Sequence, residues 1–448
     1  MIFAVLFGGL LAGNMLKKAV PFLRDSLIPT SVLGGLILFA VASCYELITD
    51  RAMFDTALFG GNGNAVLEII TYHTLALGFI ASTLKNTKGK INKKRATEIF
   101  NTGVTTVSTY LIQAILGLAI TMVAALVIKN FFSAAGILLP FGYGQGTGQA
   151  MNYGNIYETE YGFIGGKSFG LTIAALGFLS ASIGGIIHLN IIKKRGYIKK
   201  KSTEEGAISS EQIQAVGEIP MQESIDKLTV QVALIFVSYT LSYVLMYLLG
   251  LALPGMKSTV YGFNFLLGVL AATLVKISLN GLKKIGVVKK EYTNNFLLTR
   301  TSNFFFDIMV IAGIAAIRLG VLKQYWGIML ILGAVGLVIT YAYNRIVAKA
   351  LFKEYTEEQF LAMYGMLTGT ASTGIILLRE VDGDFKTPAA DNLIYQNFPA
   401  IVFGFPMMLL ATLAPKKPVL TLIILVIFFL VMNIILFRSF IFKRKKKK

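Results

Sequence analysis

The sequence predicts an all-α protein that crosses a membrane many times. Hydrophobic residues make up 55% of the 448 residues and charged residues only 15%, whereas an ordinary soluble domain carries about 25% charged residues. Apolar runs of nearly twenty residues, long enough to cross about 30 Å of hydrocarbon, recur along the whole chain. A soluble domain with a single membrane anchor is therefore excluded.

The apolar runs predict eleven membrane-spanning helices. They are expected at 2–16, 27–48, 66–84, 98–128, 168–192, 228–250, 261–280, 296–321, 326–345, 394–414 and 419–441. No Ala-x-Ala-like cleavage site follows the first run, so it is interpreted as a span and not as a signal peptide. The polar segment 193–226 has few large apolar residues and is interpreted as a solvated linker.

The net charge of +19 raises the question of nucleic-acid binding, but the positions of the basic residues argue against it. Lys and Arg concentrate in alternate loops, with clusters at 85–95, 193–201 and 443–448. The positive-inside rule then predicts a multi-pass protein of the cell (inner) membrane, with the N-terminus outside and the C-terminus in the cytoplasm. The same clusters are expected to attract anionic lipid at the inner face.

Few residues of this chain are suited to covalent or metal chemistry. Cys44 is the only cysteine, and His73 and His188 are the only histidines. This content leaves little for a zinc or iron–sulfur site, or for a nucleophile with its base inside a membrane. We therefore expect neither an enzyme nor a bound cofactor.

Two segments rich in Gly, Thr and Ser, 131–158 and 360–380, fit neither a span nor an ordinary loop. At an offset of 223 residues, Gly146-Thr147-Gly148-Gln149-Ala150 corresponds to Gly369-Thr370-Ala371-Ser372-Thr373. An acidic pair and then a phenylalanine follow about a dozen residues later in both copies, which indicates an internal duplication.

The duplication predicts two halves of opposite orientation. Each half holds five crossings, an odd number, so the second half must be inverted relative to the first. The topology then requires each Gly-rich segment to enter and leave the membrane on one side, 131–158 from outside and 360–380 from inside. The predicted organisation is a five-helix half at 1–192, the linker at 193–226, an inverted half at 227–414, and an extra helix with a basic tail at 415–448.

Non-helical backbone at membrane depth is tolerated only where protein or a water-filled cavity satisfies its peptide groups. Two such tips that meet near the midplane are typical of alternating-access transporters, in which half-helix N-termini attract an anion and free carbonyls attract a cation. One alternative is that the glycines only allow close helix packing, which explains neither the repetition nor the topology. Another is a channel, which would need a continuous polar pore.

At these segments the chain resembles the bacterial glutamate:sodium symporter family. The resemblance is carried by Ile28-Pro29-Thr30-Ser31-Val32-Leu33-Gly34-Gly35-Leu36, similar to the family's second span, by Gly142-Tyr143-Gly144-Gln145-Gly146-Thr147-Gly148-Gln149-Ala150, similar to its first re-entrant loop, and by the second loop around Thr368 to Gly374. It covers residues 5 to about 410. It implies two inverted five-helix halves, sodium-driven uptake of glutamate into the cytoplasm, and a homodimer.

The chain also departs from that family. The family's second loop is richer in Gly than this one, Asp307 stands where a small uncharged residue is expected, and the last helix lies beyond a ten-helix plan. A dicarboxylate or citrate-like anion, driven by sodium or by protons, is therefore the alternative solute.

The candidate ligands follow from the chemistry of the two ligand types. Sodium prefers oxygen ligands, and the predicted ones are Thr147, Asp307, Thr370, Ser372 and Thr373. The residues predicted to bind the anionic solute are Gly146, Thr147, Gly148, Gln149, Asn152, Asn155, Thr373 and Arg379.

For several of these residues a second role is open. The amides can orient a carboxylate without adding net charge, or they can hold the loop together. Arg379 can pair with a substrate carboxylate in fork geometry, or it can form a local ion pair with Glu380 and Asp382.

Asp307 is the most informative single residue, because a carboxylate in the middle of a membrane helix is costly and marks an ion or substrate path. Gly34 in the second span matches Gly268 in the seventh at an offset of 234 residues, and at this offset Asp307 corresponds to His73. The two together indicate a charged pair or a proton-sensitive element. The alternative for His73 is a hydrogen-bonded group near the outer end of its helix.

Overall fold

The computed structural model describes residues 1–25, 28–86, 93–197, 225–254, 257–262, 264–383 and 386–441. Its regular structure in these ranges is helical. The helices of the first part are α1 (Ile2–Ala19), α2 (Pro21–Asp25), α3 (Thr30–Thr49), α4 (Gly63–Leu84), α5 (Lys93–Val127), α6 (Leu138–Tyr161) and α7 (Gly166–Lys194). Those of the second part are α8 (Lys227–Ala252), α9 (Lys257–Gly262), α10 (Asn264–Lys284), α11 (Asn295–Ala315), α12 (Leu319–Leu351), α13 (Thr356–Thr368), α14 (Ala371–Arg379), α15 (Ala389–Tyr395), α16 (Asn397–Leu413), α17 (Pro418–Leu436) and α18 (Arg438–Ile441).

Several helix starts follow from local sequence. Asp226 accepts hydrogen bonds from the backbone N–H groups of Leu228 (2.8 Å) and Thr229 (3.3 Å) and so caps α8. Pro418 opens α17, where its missing N–H costs no helical hydrogen bond. At these two helix starts a side chain thus satisfies or removes N–H groups that would otherwise be unpaired.

Ten helices in the described part of the chain are long and apolar enough to cross a membrane, and the bent pair Ala389–Tyr395 and Pro399–Leu413 would make an eleventh. The predictions of an all-α chain and of a multi-pass membrane protein are confirmed at this level. Two parts of the prediction, most of the linker 193–226 and the whole basic tail 443–448, lie outside the described residues.

One predicted boundary is wrong. The run 296–321 was expected to form a single helix, whereas α11 ends at Ala315 and α12 begins at Leu319. Arg318 has an extended backbone between them (φ −96°, ψ 126°), and its N–H donates to the hydroxyl of Ser168 at 3.2 Å. The sequence stays apolar up to this residue, so hydropathy alone did not reveal the break.

The described chain groups into two compact units. The larger unit comprises Met1–Leu67, Ile91–Lys199 and Gly313–Lys448, and the smaller unit comprises Glu68–Lys90 and Lys200–Ala312. Each unit draws segments from both predicted halves, so this grouping cuts across the division of the sequence at the linker.

Each unit has its own core. The largest fully buried side chains of the larger unit are aromatic, among them Tyr143, Tyr153, Tyr157 and Tyr364. The smaller unit is organised around aliphatic residues of α4, α8, α10 and α11, namely Leu77, Ile80, Ala81, Leu84, Ile235, Ala272 and Leu298. The polar features that follow lie mainly in the larger unit.

Candidate functional site

Helix α6 is broken at Gly146, within the first predicted loop. Gly146 has φ 79° and ψ −171°, a backbone conformation that is essentially restricted to glycine. The rings of Phe141 and Tyr153 stack with centroids 3.8 Å apart, although twelve residues of a continuous helix would separate them by about 18 Å. The chain therefore folds back at Gly146, and the arms 138–145 and 147–161 lie side by side.

A second break separates α13 from α14, within the second predicted loop. Gly369 (φ −147°, ψ −105°) and Thr370 (φ −139°, ψ 170°) leave the helical conformation. Gly365 and Gly374 face each other on the two sides of the break, because a Cβ on Gly365 would lie 2.8 Å from the Cα of Gly374. A Cβ on Gly374 would lie 2.4 Å from the carbonyl oxygen of Ala362. Small residues thus bring these two arms into close antiparallel contact.

The two breaks meet beside α7. A Cβ on Gly177 would lie 2.6 Å from the carbonyl oxygen of Thr368 and 3.2 Å from the Cα of Tyr143. These two residues lie within one helical turn of the second and the first break, respectively. Gly177 therefore marks the point where both breaks contact the same stretch of α7.

Contacts with the neighbouring helix α5 also show that the two breaks lie at about the same position along its axis. The hydroxyl of Tyr110 donates to the carbonyl oxygen of Gly144 (3.1 Å), and Nε2 of Gln113 donates to the carbonyl oxygen of Leu367 (3.1 Å). Tyr110 and Gln113 are three residues apart, which is about 4.5 Å along a helix. Tyr110 is also at the middle of α5, so both breaks lie halfway along this long helix.

The arms present opposite partial charges at the breaks. Arm 138–145 and α13 end there, so their last carbonyl oxygens lack partners within the helix, whereas arm 147–161 and α14 begin there, where the first N–H groups of a helix have no carbonyl partner in the preceding turn. A helix C-terminus carries roughly −0.5 elementary charge and an N-terminus roughly +0.5. The region where the breaks meet can therefore accommodate a cation and an anion close together.

The structure brings most of the predicted residues of the first loop together. Thr147, Gln149 and Asn152 are buried, as are Gly146 and Gly148. Nδ2 of Asn152 donates to Oε1 of Gln149 (3.0 Å), and Nε2 of Gln149 donates to Oε1 of Gln145 (3.4 Å). Asn155 is exposed and does not belong to this row of amides.

Gln145 completes the row and was not predicted. Its Nε2 is buried and has no hydrogen-bond acceptor within the described part of the chain. The signal in the sequence is the spacing of Gln145, Gln149 and Asn152, which continues across the Gly-rich motif. The row therefore ends in a buried donor beside the break.

In the second loop the two threonines are close, but Arg379 is distant from the break. Thr373 is buried, its hydroxyl lies 3.4 Å from that of Thr370, and its N–H donates to the Thr370 hydroxyl at 3.5 Å. The side chain of Ser372 lies outside the described part of the molecule. Arg379 ends α14 with an exposed side chain, about 14 Å along the helix from the break.

The carboxylate of Asp382, a candidate partner for Arg379, is used by the loop that follows α14. It accepts hydrogen bonds from the backbone N–H groups of Lys386 and Thr387, both at 2.8 Å, and from the Thr387 hydroxyl at 2.6 Å. Asp382 therefore closes this loop.

Asp307 and His73 belong to the smaller unit. Asp307 lies on α11 with an exposed side chain. His73 lies in the middle of α4, and its Nδ1 is hydrogen-bonded to the hydroxyl of Tyr239 on α8. This bond agrees with the interpretation of His73 as a hydrogen-bonded group, although not near a helix end. A role for Asp307 in ion coupling stays a prediction.

A polar face of α5 was missed by the sequence analysis. It is formed by Thr102, Thr106, Thr109 and Gln113, all buried and spaced at helical intervals. Thr102 accepts a hydrogen bond from Gln359 (3.2 Å), and Thr106 donates to Gln396 (2.9 Å). The regular i, i+4, i+7, i+11 spacing in an otherwise apolar helix was the available signal.

The start of α13 carries a second polar cluster. Both carboxylate oxygens of Glu357 accept hydrogen bonds from Arg345 (2.7 and 2.8 Å), and Oε2 also bonds to Nε2 of His188 (2.7 Å). Burial acts to raise the pKa of Glu357, but the hydrogen bonds from Arg345 and His188 outweigh it and lower the pKa. The hydroxyl of Tyr197 donates to Glu358 at 3.0 Å, and burial raises the pKa of Glu358.

No family model matches this chain, and no curated protein sequence matches it either. The functional interpretation therefore depends on the residues and contacts of the chain itself.

Proposed function

We propose that this protein is a secondary active transporter that couples sodium to the uptake of glutamate or a related small carboxylate. The observation that carries the proposal is the meeting of two broken helices at one level of α5 and α7, around Gly177. A transporter needs such a junction, because unwound backbone and helix ends can bind solute and ion halfway across the membrane.

The proposal includes the topology of the two halves. The segments around Gly146 and Gly369 act as re-entrant hairpins, the first entering from outside and the second from the cytoplasm. Each hairpin stands between the fourth and fifth span of its half, and the second half is inverted. Alternating access then opens the junction to one side at a time. The protein acts as a homodimer without a bound cofactor.

The anion is proposed to bind at the N-termini of the helices that follow the breaks, arm 147–161 and α14. The N–H groups that begin arm 147–161 provide partial positive charge, and Gln145, Gln149 and Asn152 add amide groups without net charge. The buried Nε2 of Gln145 supports this assignment, because a carboxylate oxygen would satisfy it. A neutral donor set holds a carboxylate without binding it too tightly to release.

The cation is proposed to bind at the C-termini of the helices that precede the breaks, arm 138–145 and α13. The hydroxyls of Thr147, Thr370, Ser372 and Thr373 are its candidate side-chain ligands in the hairpins. Asp307, in the smaller unit, stays a separate candidate carboxylate ligand for a coupling ion. Sodium would neutralise the negative ends of arm 138–145 and α13, and its charge would strengthen anion binding at the adjacent helix starts.

Uptake into liposomes tests the proposal. The purified full chain is reconstituted, and labelled glutamate uptake is measured with an inward sodium gradient and then with potassium in place of sodium. Accumulation above equilibrium only with sodium is the expected result. Equilibration without accumulation would indicate a channel, and uptake of dicarboxylate or citrate but not glutamate would correct the solute. Sodium-independent accumulation driven by a proton gradient would replace the coupling ion.

A further inference from the structure

Two buried amide side chains next to the second break have unpaired oxygen atoms. Gln113 on α5 is fully buried and Asn344 on α12 is 2% exposed. In the described part of the chain, neither Oε1 of Gln113 nor Oδ1 of Asn344 has a hydrogen-bond donor. Buried polar atoms are normally paired, so two unpaired acceptors in one place call for an explanation.

The orientation of both amides is fixed by backbone groups. Nε2 of Gln113 donates to the carbonyl oxygen of Leu367 (3.1 Å), and Nδ2 of Asn344 donates to the carbonyl oxygen of Thr340 (2.9 Å). A carbonyl oxygen only accepts, so rotating either amide by 180° would place two acceptors against each other. The unpaired atoms are therefore oxygens and not misassigned nitrogens.

The two amides are held by the same residue. Nε2 of Gln113 donates to the side-chain hydroxyl of Thr340 at 2.7 Å, and the backbone carbonyl oxygen of the same residue accepts from Asn344. Nδ2 of Asn344 also lies 3.3 Å from the hydroxyl of Thr109, four residues before Gln113 on α5. The hydroxyls of Thr109 and Thr340 and the amide groups of Gln113 and Asn344 thus share one buried region.

This region adjoins the negative end of a helix. Leu367, whose carbonyl oxygen binds Gln113, is the second-last residue of α13, and the backbone leaves the helix at Gly369. The last carbonyls of α13 lack helical partners and carry partial negative charge. Unpaired amide oxygens, hydroxyls and a helix C-terminus are all ligands or dipoles that favour a hard cation.

We propose that Gln113, Asn344 and the C-terminal end of α13 form a binding site for a monovalent cation, sodium in the transport cycle. This rests on the proposed function, because it assigns the coupling ion to residues outside the two Gly-rich motifs. The side-chain ligands named are neutral, which suits a monovalent ion, since a divalent ion usually requires carboxylates. Binding would fasten α13 to α5 and α12 and so transmit the presence of sodium to the second hairpin.

The competing explanation is a buried water molecule, which could donate to both oxygens. Water and sodium differ in a direct way. A bound cation stabilises the folded protein in proportion to its free concentration, whereas water gives no dependence on sodium. The test therefore measures binding and not transport.

The purified full chain in detergent is heated at rising NaCl, with choline chloride holding the ionic strength constant. We expect the unfolding temperature to rise with sodium, and Gln113→Met and Asn344→Leu to remove most of that rise. Gln359→Met is the matched control, since Gln359 is equally buried but both its amide atoms are paired, with Thr102 and Asn392. That control should keep the sodium-dependent rise.

A second pair of variants serves if the apolar ones do not fold. Gln113→Glu and Asn344→Asp keep an oxygen and add negative charge, so the sodium concentration for half of the maximal shift should fall about tenfold. If the unfolding temperature of both pairs of variants rose with sodium as it does in the unaltered protein, the proposed site would be overturned. An equal rise of the unfolding temperature with choline would overturn it as well. In either case water would be left as the occupant.

The outcomes separate this site from the proposed function. A sodium response that depends on Gln113 and Asn344, together with no sodium-driven uptake in liposomes, would keep the site and reject the symport. If uptake were driven by sodium but the sodium-dependent rise in unfolding temperature did not depend on Gln113 or Asn344, the symport would be kept and the site rejected.

Discussion

At the scale of single residues, Glu357 and Glu358 are neighbours in the first turn of α13, but their pKa values are shifted in opposite directions. Hydrogen bonds from Arg345 and His188 outweigh burial at Glu357 and lower its pKa, whereas burial raises the pKa of Glu358. The ordinary carboxyl pKa is about 4.3. Glu357 therefore stabilises the folded state above this pH, and the contribution is lost as the pH falls through its lower folded pKa. Glu358 contributes most below this pH, and its contribution is lost as the pH rises through its higher folded pKa.

The neutral variants of the two glutamates should therefore have opposite effects at pH 7. Glu357→Gln leaves Arg345 and His188 without their carboxylate and should destabilise by roughly 1.5–3 kcal/mol, as for other charged hydrogen bonds. Glu358→Gln removes a buried charge and should raise the unfolding temperature, and this gain should vanish toward pH 4. Thermal unfolding in detergent between pH 4 and 8 measures both. Equal losses at pH 7 would show that the two environments do not differ.

Gly146 should be the least replaceable glycine of the first loop. Its φ of 79° with ψ of −171° is strained for any residue with a Cβ, at a cost of about 1–3 kcal/mol. Gly146→Ala should thus reduce folding yield or transport strongly. Gly320→Ala is the control, because Gly320 lies in α12 with no atom within 4 Å of an added Cβ, and it should be neutral or slightly stabilising. Normal expression and uptake for Gly146→Ala would argue against the break as a required feature.

At the scale of helices, the junction depends on how closely the two breaks approach α7. A Cβ on Gly177 would meet the carbonyl oxygen of Thr368 at 2.6 Å and the backbone of Tyr143 at 3.2 Å. Neither neighbour is the flexible end of a side chain, so one of the breaks must move. The effect should therefore appear in function as well as in stability.

Gly177→Ala is expected to cost about 1–3 kcal/mol of stability through overpacking and to lower the maximal uptake rate by more than the loss of folded protein explains. Gly404→Ala is the matched control, since its nearest neighbour to an added Cβ is a Val107 side chain at 3.7 Å. The measurement is uptake per folded molecule, with folded protein counted by size-exclusion chromatography. If both variants behaved alike, the contact at Gly177 would have no special role.

The helices could be predicted from the sequence, but their junction could be predicted only in part. Long apolar runs give helices wherever lipid is the solvent, so the predicted spans fall on helices of the structure, apart from the break at Arg318 within the run 296–321. The Gly-rich motif gave the positions of both breaks, because Gly146 adopts a backbone conformation that requires glycine and Gly369, the corresponding residue of the second copy, stands where the helix ends. Gln113 and Asn344 were missed, since an isolated amide in an apolar run has no sequence partner. The contact of Gln113 with Leu367 and that of Asn344 with Thr109 each join residues more than two hundred positions apart.

At the scale of the whole molecule, the topology depends on charge as well as on hydropathy. Basic residues in alternate loops predict that the N-terminus lies outside, and this predicted orientation requires α6 and the α13–α14 pair to return to the side from which they enter. A complete crossing by either segment would reverse every loop that follows it. The ends of each segment therefore provide a decisive test of the proposed inverted halves.

Cysteine labelling from outside the cell tests this topology, and Cys44 makes the background simple because it is the only cysteine and can be replaced by serine. Single cysteines at Asn130 and Gly162, which flank α6 and are exposed, should both react with a membrane-impermeant maleimide. Cysteines at the exposed positions Lys353 and Lys386, which flank the second hairpin, should react only after the membrane is permeabilised. Opposite accessibility at Asn130 and Gly162 would mean that α6 crosses the membrane completely, and the two halves would then have the same orientation.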